Sequence, residues 1–146
     1  MTLKVSTGLR NKLLDTGSLA TLMAGGLIKI YSGTPPASAD DAASGSLLCT
    51  ISLNSTGTGV NMASTATGGV LAKSTSETWS GVVALSGAAT YYRHVAASDT
   101  GASSTTQARL QGEIATAGAE LNLSSTTLTS GATQTVDYYS VALPTL

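Results

Sequence analysis

The chain has no phenylalanine, one tryptophan, one cysteine, one histidine and three prolines in 146 residues, and only 10% of its residues are charged. Each shortage closes off a class of protein. The lone Cys49 excludes an intrachain disulfide and a cysteine-based metal site. Set in an apolar run with no basic neighbour in sequence, it reads as a small buried hydrophobe and not as a reactive thiol. A formal net charge of -1 leaves no electrostatic footprint for nucleic acid or an anionic membrane surface. No run reaches the ~18 apolar residues of a membrane span, so neither partner is expected. The opening MTLKVSTGLR lacks the apolar region of a signal peptide, and the expected place of assembly is a cytoplasm. With so few aromatics the core must be mainly Val, Leu, Ile and Ala, and a thin core favours burial between subunits.

What the chain does have is 43 serines and threonines, 16 glycines and 42% hydrophobic residues that fall in spaced blocks. That apolar fraction is enough to offset the entropy of ordering, so the chain should fold and is not a linker. Ser6 or Thr7 can cap a helix in which Leu9, Leu13 and Leu14 share a face, ended by Asp15-Thr16-Gly17. A second short turn, Leu19 to Met23, is stopped by Ala24-Gly25-Gly26. From there strand-like runs recur: Leu27–Tyr31, Leu47–Leu53, Gly59–Met62, Val70–Lys73, Glu77–Leu85, Ala88–Ala96, Gln107–Ile114 and Thr133–Leu143, with a short extra one at Glu120–Leu123. The expected fold is all-β, a jelly-roll-like β-sandwich of about eight strands with a short N-terminal helical segment and arm. One domain spans 1–146, with arm and helix in 1–25 and the sandwich in 26–146. Its core is expected from Ile28, Ile30, Leu48, Ile51, Val83, Leu110, Val136, Tyr138 and Val141. Tyr91-Tyr92 and Tyr138-Tyr139 should each divide their rings between two faces.

Two long stretches carry no bulky apolar anchor, Ala37–Gly45 and Ser98–Thr106, and loops of that kind are usually contact elements. The first lies in a region that resembles a known family. Ile30-Tyr31-Ser32-Gly33-Thr34-Pro35-Pro36, then Ala39-Asp40-Asp41-Ala42-Ala43, then Gly45-Ser46-Leu47-Leu48, is similar to the core of small structural proteins of tailed bacteriophages. The likeness runs from Ser6 to Leu53, about a third of the chain. It implies a virion component, and the leading expectation is a non-enzymatic head decoration, or cement, protein on the outer surface of the capsid. Its partners would be the major capsid protein and itself, as a homotrimer, with a dimer as alternative. A tail, neck or baseplate protein is the alternative within that class, and a carbohydrate-binding β-sandwich the alternative outside it. The residues expected to meet the partner are Leu3 and Val5 of the arm, whose alternation suits strand addition to a neighbour's sheet, and Thr34, Pro35, Pro36, Asp40 and Asp41 of the loop.

No catalytic, cofactor-binding or metal residue is assigned. Asp-Thr-Gly occurs twice, at Asp15 and Asp99, but neither follows the bulky apolar strand that carries an aspartic-protease carboxylate to its cleft. Asp40-Asp41 lacks the alternating spacing of a Ca²⁺ loop. His94 has no nucleophile elbow to serve. Gly57-Thr58-Gly59 and Gly68-Gly69 lack the lysine of a phosphate loop.

Overall fold

Ser6 begins the first helix because its backbone is extended while its hydroxyl oxygen accepts the Leu9 N–H at 3.1 Å, satisfying one of the helix's orphan donors. The same Oγ also accepts Arg109 N–H at 2.9 Å and donates to Gln107 O at 2.8 Å, so one side chain caps the helix and fastens it to the sheet. The computed structural model describes residues 2–144. In chain order the elements are β1 (Lys4–Val5), α1 (Thr7–Asp15), α2 (Leu19–Leu22), β2 (Leu27–Tyr31), β3 (Leu47–Leu53), β4 (Val70–Ala72), β5 (Trp79–Val82), β6 (Gly87–Ala88), β7 (Tyr91–Val95), β8 (Arg109–Ala115), β9 (Leu121–Asn122), β10 (Thr127–Leu128), β11 (Thr133–Thr135) and β12 (Ser140–Ala142). The fold is all-β and sandwich-like. A long antiparallel sheet runs β1-β8-β7-β2-β3-β5-β11, with β9 joined in parallel to β8, and two-stranded sheets pair β10 with β6 and β12 with β4.

Register sorts the long sheet into two faces. Ile28 stands beside Ile51 and His94, Ile30 beside Cys49 and Tyr92, and Val5 and His94 flank Leu110, so these residues share the inner face. They pack with Leu9, Met23, Val60, Leu71, Trp79, Val136, Tyr139 and Val141 in one apolar cluster that takes in residues from both helices' surroundings and the small sheets. Fully burying each large aliphatic or aromatic side chain stabilises the fold by about 1.5–3 kcal/mol. Across the other face Lys29, Arg93, Gln111 and Lys4 form one row, and Tyr31, Tyr91 and Glu113 another.

Several expectations change at the bends. The run Thr133–Leu143 is two strands, because β11 pairs with β5 of the long sheet while β12 pairs with β4 of a small one. The chain crosses between sheets at Val136–Tyr139, where the period of two fails: Val136 and Tyr139 are both buried and Tyr138 is 73% exposed, not in the core. Ala88–Ala96 divides in the same way into β6 and β7, which belong to different sheets. Gly59–Met62 forms no strand, only single bridges from Val60 to Gly26 and from Met62 to Lys73. On α1, Leu9 is buried but Leu14 is 87% exposed, so the three leucines do not share a buried face.

Candidate contact surface

The loop after β2 is pinched at its ends. Gly33 and Gly45 both take left-handed backbone, φ 89° and 73°, and Ser32 N–H donates to Ser46 O at 3.0 Å just outside them. Ends this close enclosing eleven residues of small and polar side chains make an Ω-loop. It lies over the outer face of β2, β7 and β8, and polar side chains of those strands hold its backbone there.

Arg93 and Arg109 are each 1% exposed. Arg109 grips Asp99 bidentately, Nε to Oδ2 at 2.6 Å and Nη2 to Oδ1 at 2.9 Å, and also donates to Ala39 O at 3.2 Å and Ala102 O at 2.6 Å. Arg93 donates Nε to Gln111 Oε1 at 2.8 Å and Nη1 to Asp41 O at 2.9 Å. Gln111 Nε2 and Lys4 Nζ both reach Pro36 O, at 2.9 and 3.0 Å, and Lys29 Nζ reaches Asp99 O at 2.8 Å. The phenol of Tyr91, stacked on Tyr31 at 4.9 Å, donates to Ser44 O and accepts Ser44 N–H. The loop at 98–106 joins the same assembly: Ala43 N–H donates to Gly101 O and Ser104 N–H to Asp40 O, each at 2.8 Å. Burial alone would raise the Asp99 carboxyl, but the Arg109 and Gly101 hydrogen bonds outweigh it and hold Asp99 below its ordinary range. Desolvation lowers the Arg93 guanidinium from its ordinary value. These side chains therefore bind loop carbonyls, which fixes the loop's path and leaves Thr34, Ala37, Asp41 and Ala42 exposed, while Ala39 is buried beneath it.

The expected partner-binding residues divide on this background. Thr34 and Asp41 are exposed, and Pro35 and Pro36 are half-buried. Asp40 is half-buried and committed to the protein itself, accepting Thr7 N–H at 2.8 Å and Thr7 Oγ1–H at 2.6 Å, which with burial opposing hold its carboxyl low. Asp41 accepts Ser38 N–H at 2.9 Å. Leu3 and Val5 do not project as an arm. The segment pairs with β8, Lys4 opposite Gln111 and Val5 opposite Leu110, and both apolar side chains pack against the protein's own core. The expectation that Leu3 and Val5 serve a neighbour's sheet is thus corrected, since they are anchored on the protein's own, and the loop that lacks a bulky apolar anchor has a polar one. Sequence reasoning missed the roles of Arg93, Arg109, Gln111 and Asp99, although Arg109 and Gln111 alternate on what read as one strand, the spacing that lines one face.

The remaining candidates are structural. Asp15 is exposed at a helix end, where Thr16 Oγ1 donates to it at 2.6 Å, and Asp99 is spent on Arg109. Burial pushes the Cys49 thiol up to about 11, so the nucleophilic thiolate is suppressed. Among the described residues no group of three or more His, Cys, Asp or Glu side chains is placed to hold a metal ion. Elsewhere, an apolar recess of about 260 Å³ opens between the helices and β4 and β12, lined by Leu13, Leu19, Leu71, Val141 and Leu143. No family model, curated protein or solved structure matches the chain.

Proposed function

We propose that the chain is a non-enzymatic virion structural protein, a bacteriophage head decoration protein that clamps neighbouring subunits of the major capsid protein from the outer surface of the shell. The observation that carries this reading is the fastened loop pair. The stretch that resembles phage structural proteins, Ile30 to Leu48, coincides with β2, the Ω-loop and the start of β3, and buried arginines hold that loop in one shape before any partner arrives. A contact element ordered in advance loses little entropy on docking, which suits a protein whose task is to stay bound. The jelly-roll-like arrangement and the homotrimer belong to the same proposal. The sugar-binding alternative is less well served, because Trp79, the natural stacking platform for a sugar ring, is 1% exposed.

The test uses capsids assembled without the protein. Thr34→Arg and Ala42→Arg place a bulky charge on exposed loop positions, and both should melt like wild type while co-sedimentation with the capsids falls at least tenfold. Wild-type binding by both variants would move the contact to another surface. Recovery of the native protein in tail fractions of disrupted virions, and not with heads, would overturn the decoration reading itself.

A further inference from the structure

His94 is wholly buried, and among the described residues neither of its ring nitrogens has a hydrogen-bond partner. Buried polar groups in folded proteins are nearly always paired, so this ring stands out. It sits on the inner face of β7 between Ile28 and Leu110, with the rings of Trp79 and Tyr139 edge-on at 6.2 and 5.6 Å. Its tip faces the turn that joins α2 to β2. A methyl group at Gly26 would lie 3.1 Å from Nε2 and 3.0 Å from Met23 O, so the turn closes on the ring only because residue 26 has no side chain. The turn is tied down by a few hydrogen bonds: Gly25 N–H is shared between Val60 O and Asn61 Oδ1, each at 3.1 Å, Gly26 N–H donates to Met23 O at 3.1 Å and Val60 N–H to Gly26 O at 2.8 Å. Asn61 is itself held by the Glu77 carboxylate through its N–H and Nδ2, both at 2.8 Å.

Among the described residues, nothing facing the ring can balance a positive charge. Tyr139 is the ionisable group in ring contact with it, and burial pushes that phenol well above its ordinary value, so it stays neutral. Glu77 and Lys73 are engaged with the Trp79 indole, Glu77 accepting its Nε1–H at 2.9 Å and Lys73 lying 5.4 Å from the ring centre. The strands on either side present Ile28 and Leu110, and the turn presents Met23 and Gly26, none of which titrates.

We propose that His94 is an acid-triggered release for the turn at 23–26: a proton taken up by the imidazole lifts the turn and the Val60 segment off the ring, admits water and loosens the helical N-terminal segment. Opening is placed there because Ile28 and Leu110 belong to the middle of the long sheet and Trp79 to β5 of the same sheet, whereas the turn is held by a few hydrogen bonds; Tyr139, on the bend between sheets, is fully buried. Burial lowers the imidazole from 6.5 to about 4 in the closed state. A depressed histidine favours the closed form fully above pH 6.5 and disfavours it progressively as pH falls toward 4, by up to about tenfold per pH unit. Asp40, Glu77 and Asp99 all lie below their ordinary values of 3.8, 4.5 and 3.8, so they act in a more acid range.

Amide hydrogen exchange of the full chain from pH 7 to 4.5, corrected for intrinsic rates, is the test. Opening at Gly25 and Val60 should rise about tenfold per unit below pH 6, while the Ile30 and Tyr92 amides stay protected. His94→Leu should abolish the rise. Flat protection at Gly25 and Val60, a fall shared equally by Ile30 and Tyr92, or a rise retained in His94→Leu would each overturn the proposal. Should that variant not fold, the wild-type imidazole resonance decides: titration near 6.5 instead of near 4 sinks it.

Discussion

The two faces of the long sheet are covered by opposite chemistry. The inner face, with Ile28, Ile30, Ile51 and Leu110, is held by apolar contact, which has no preferred direction and tolerates exchange among side chains of similar volume. The outer face, with Lys29, Arg93, Arg109 and Gln111, is held by hydrogen bonds that end on particular carbonyls of two loops. Stability comes mainly from the first and shape from the second. Because the outer contacts are made largely to loop backbone, the side chains of Thr34, Ala37, Asp41 and Ala42 remain exposed. A chain with so little charge has nonetheless placed Arg93, Arg109 and Asp99 inside.

The largest expected effect breaks the inner face. Ile30→Asp puts an unpaired carboxylate where the side chain is fully buried, and its cost is comparable to the whole stability of a domain, about 5–15 kcal/mol. The variant should be unfolded by circular dichroism. Tyr138→Asp, at a position once expected in the same core but exposed at the sheet-switching bend, should change stability by no more than about 0.5 kcal/mol. An equal loss in both would mean that the inner face has been drawn wrongly.

Next comes the outer face. Arg109→Ala leaves Asp99 buried without its cation, and breaking such a pair costs about 3–5 kcal/mol in denaturant unfolding. Replacing both, Arg109→Met with Asp99→Leu, should restore most of the global stability yet leave the Ala39 and Ala102 carbonyls without their donor, so loop exchange rises while inner-face amides stay protected. Acid reads the same pair from another side. With its folded pKa depressed, Asp99 contributes stability that is present above 3.8 and is lost as pH falls through its folded value; the double variant should lose that part of the acid limb. Were the double variant as ordered in the loop as wild type, the arginine would not be the loop's fastening.

How much of this was legible depended on whether burial and sequence period agree. β2 and β3 were readable to the residue, since Leu27–Tyr31 and Leu47–Leu53 each stay in one sheet throughout. Thr133–Leu143 misled because apolar and aromatic residues continue through a bend at which the chain changes sheets, and nothing local marks the change. The core list failed at Tyr138 for that reason alone. The candidate surface was located but misjudged in kind. Ala37–Gly45 has no bulky apolar residue, and its anchors lie more than fifty residues away, on Arg93 and Arg109, which in sequence look like residues of a solvated strand face.

The smallest expected effect compares adjacent tyrosines on the two faces. Tyr91 points outward, and its hydroxyl makes two good hydrogen bonds to Ser44, 2.6 Å to the carbonyl and 2.9 Å from the N–H. Tyr92 points inward, and among the described residues its hydroxyl meets only the Tyr139 hydroxyl, at 3.5 Å, the outer limit of a hydrogen bond. Tyr91→Phe keeps the ring stacked on Tyr31 but deletes both contacts, which should cost about 1–2 kcal/mol. The loss should appear at the loop first, as exchange at the Ser44 amide about tenfold faster, since ~1.4 kcal/mol corresponds to a factor of ten. On the inner face, Tyr92→Phe with Tyr139→Phe removes both partners of a weak bond together with the desolvation each hydroxyl suffers, so the double variant should be neutral or slightly more stable. The same chemical change, the loss of a phenol oxygen, is therefore destabilising on the face built from directed bonds and harmless on the face built from packing. Equal costs on both faces, or a larger one inside, would show that the inner core depends on directed bonds as much as the outer network does, and the contrast between the faces would not stand.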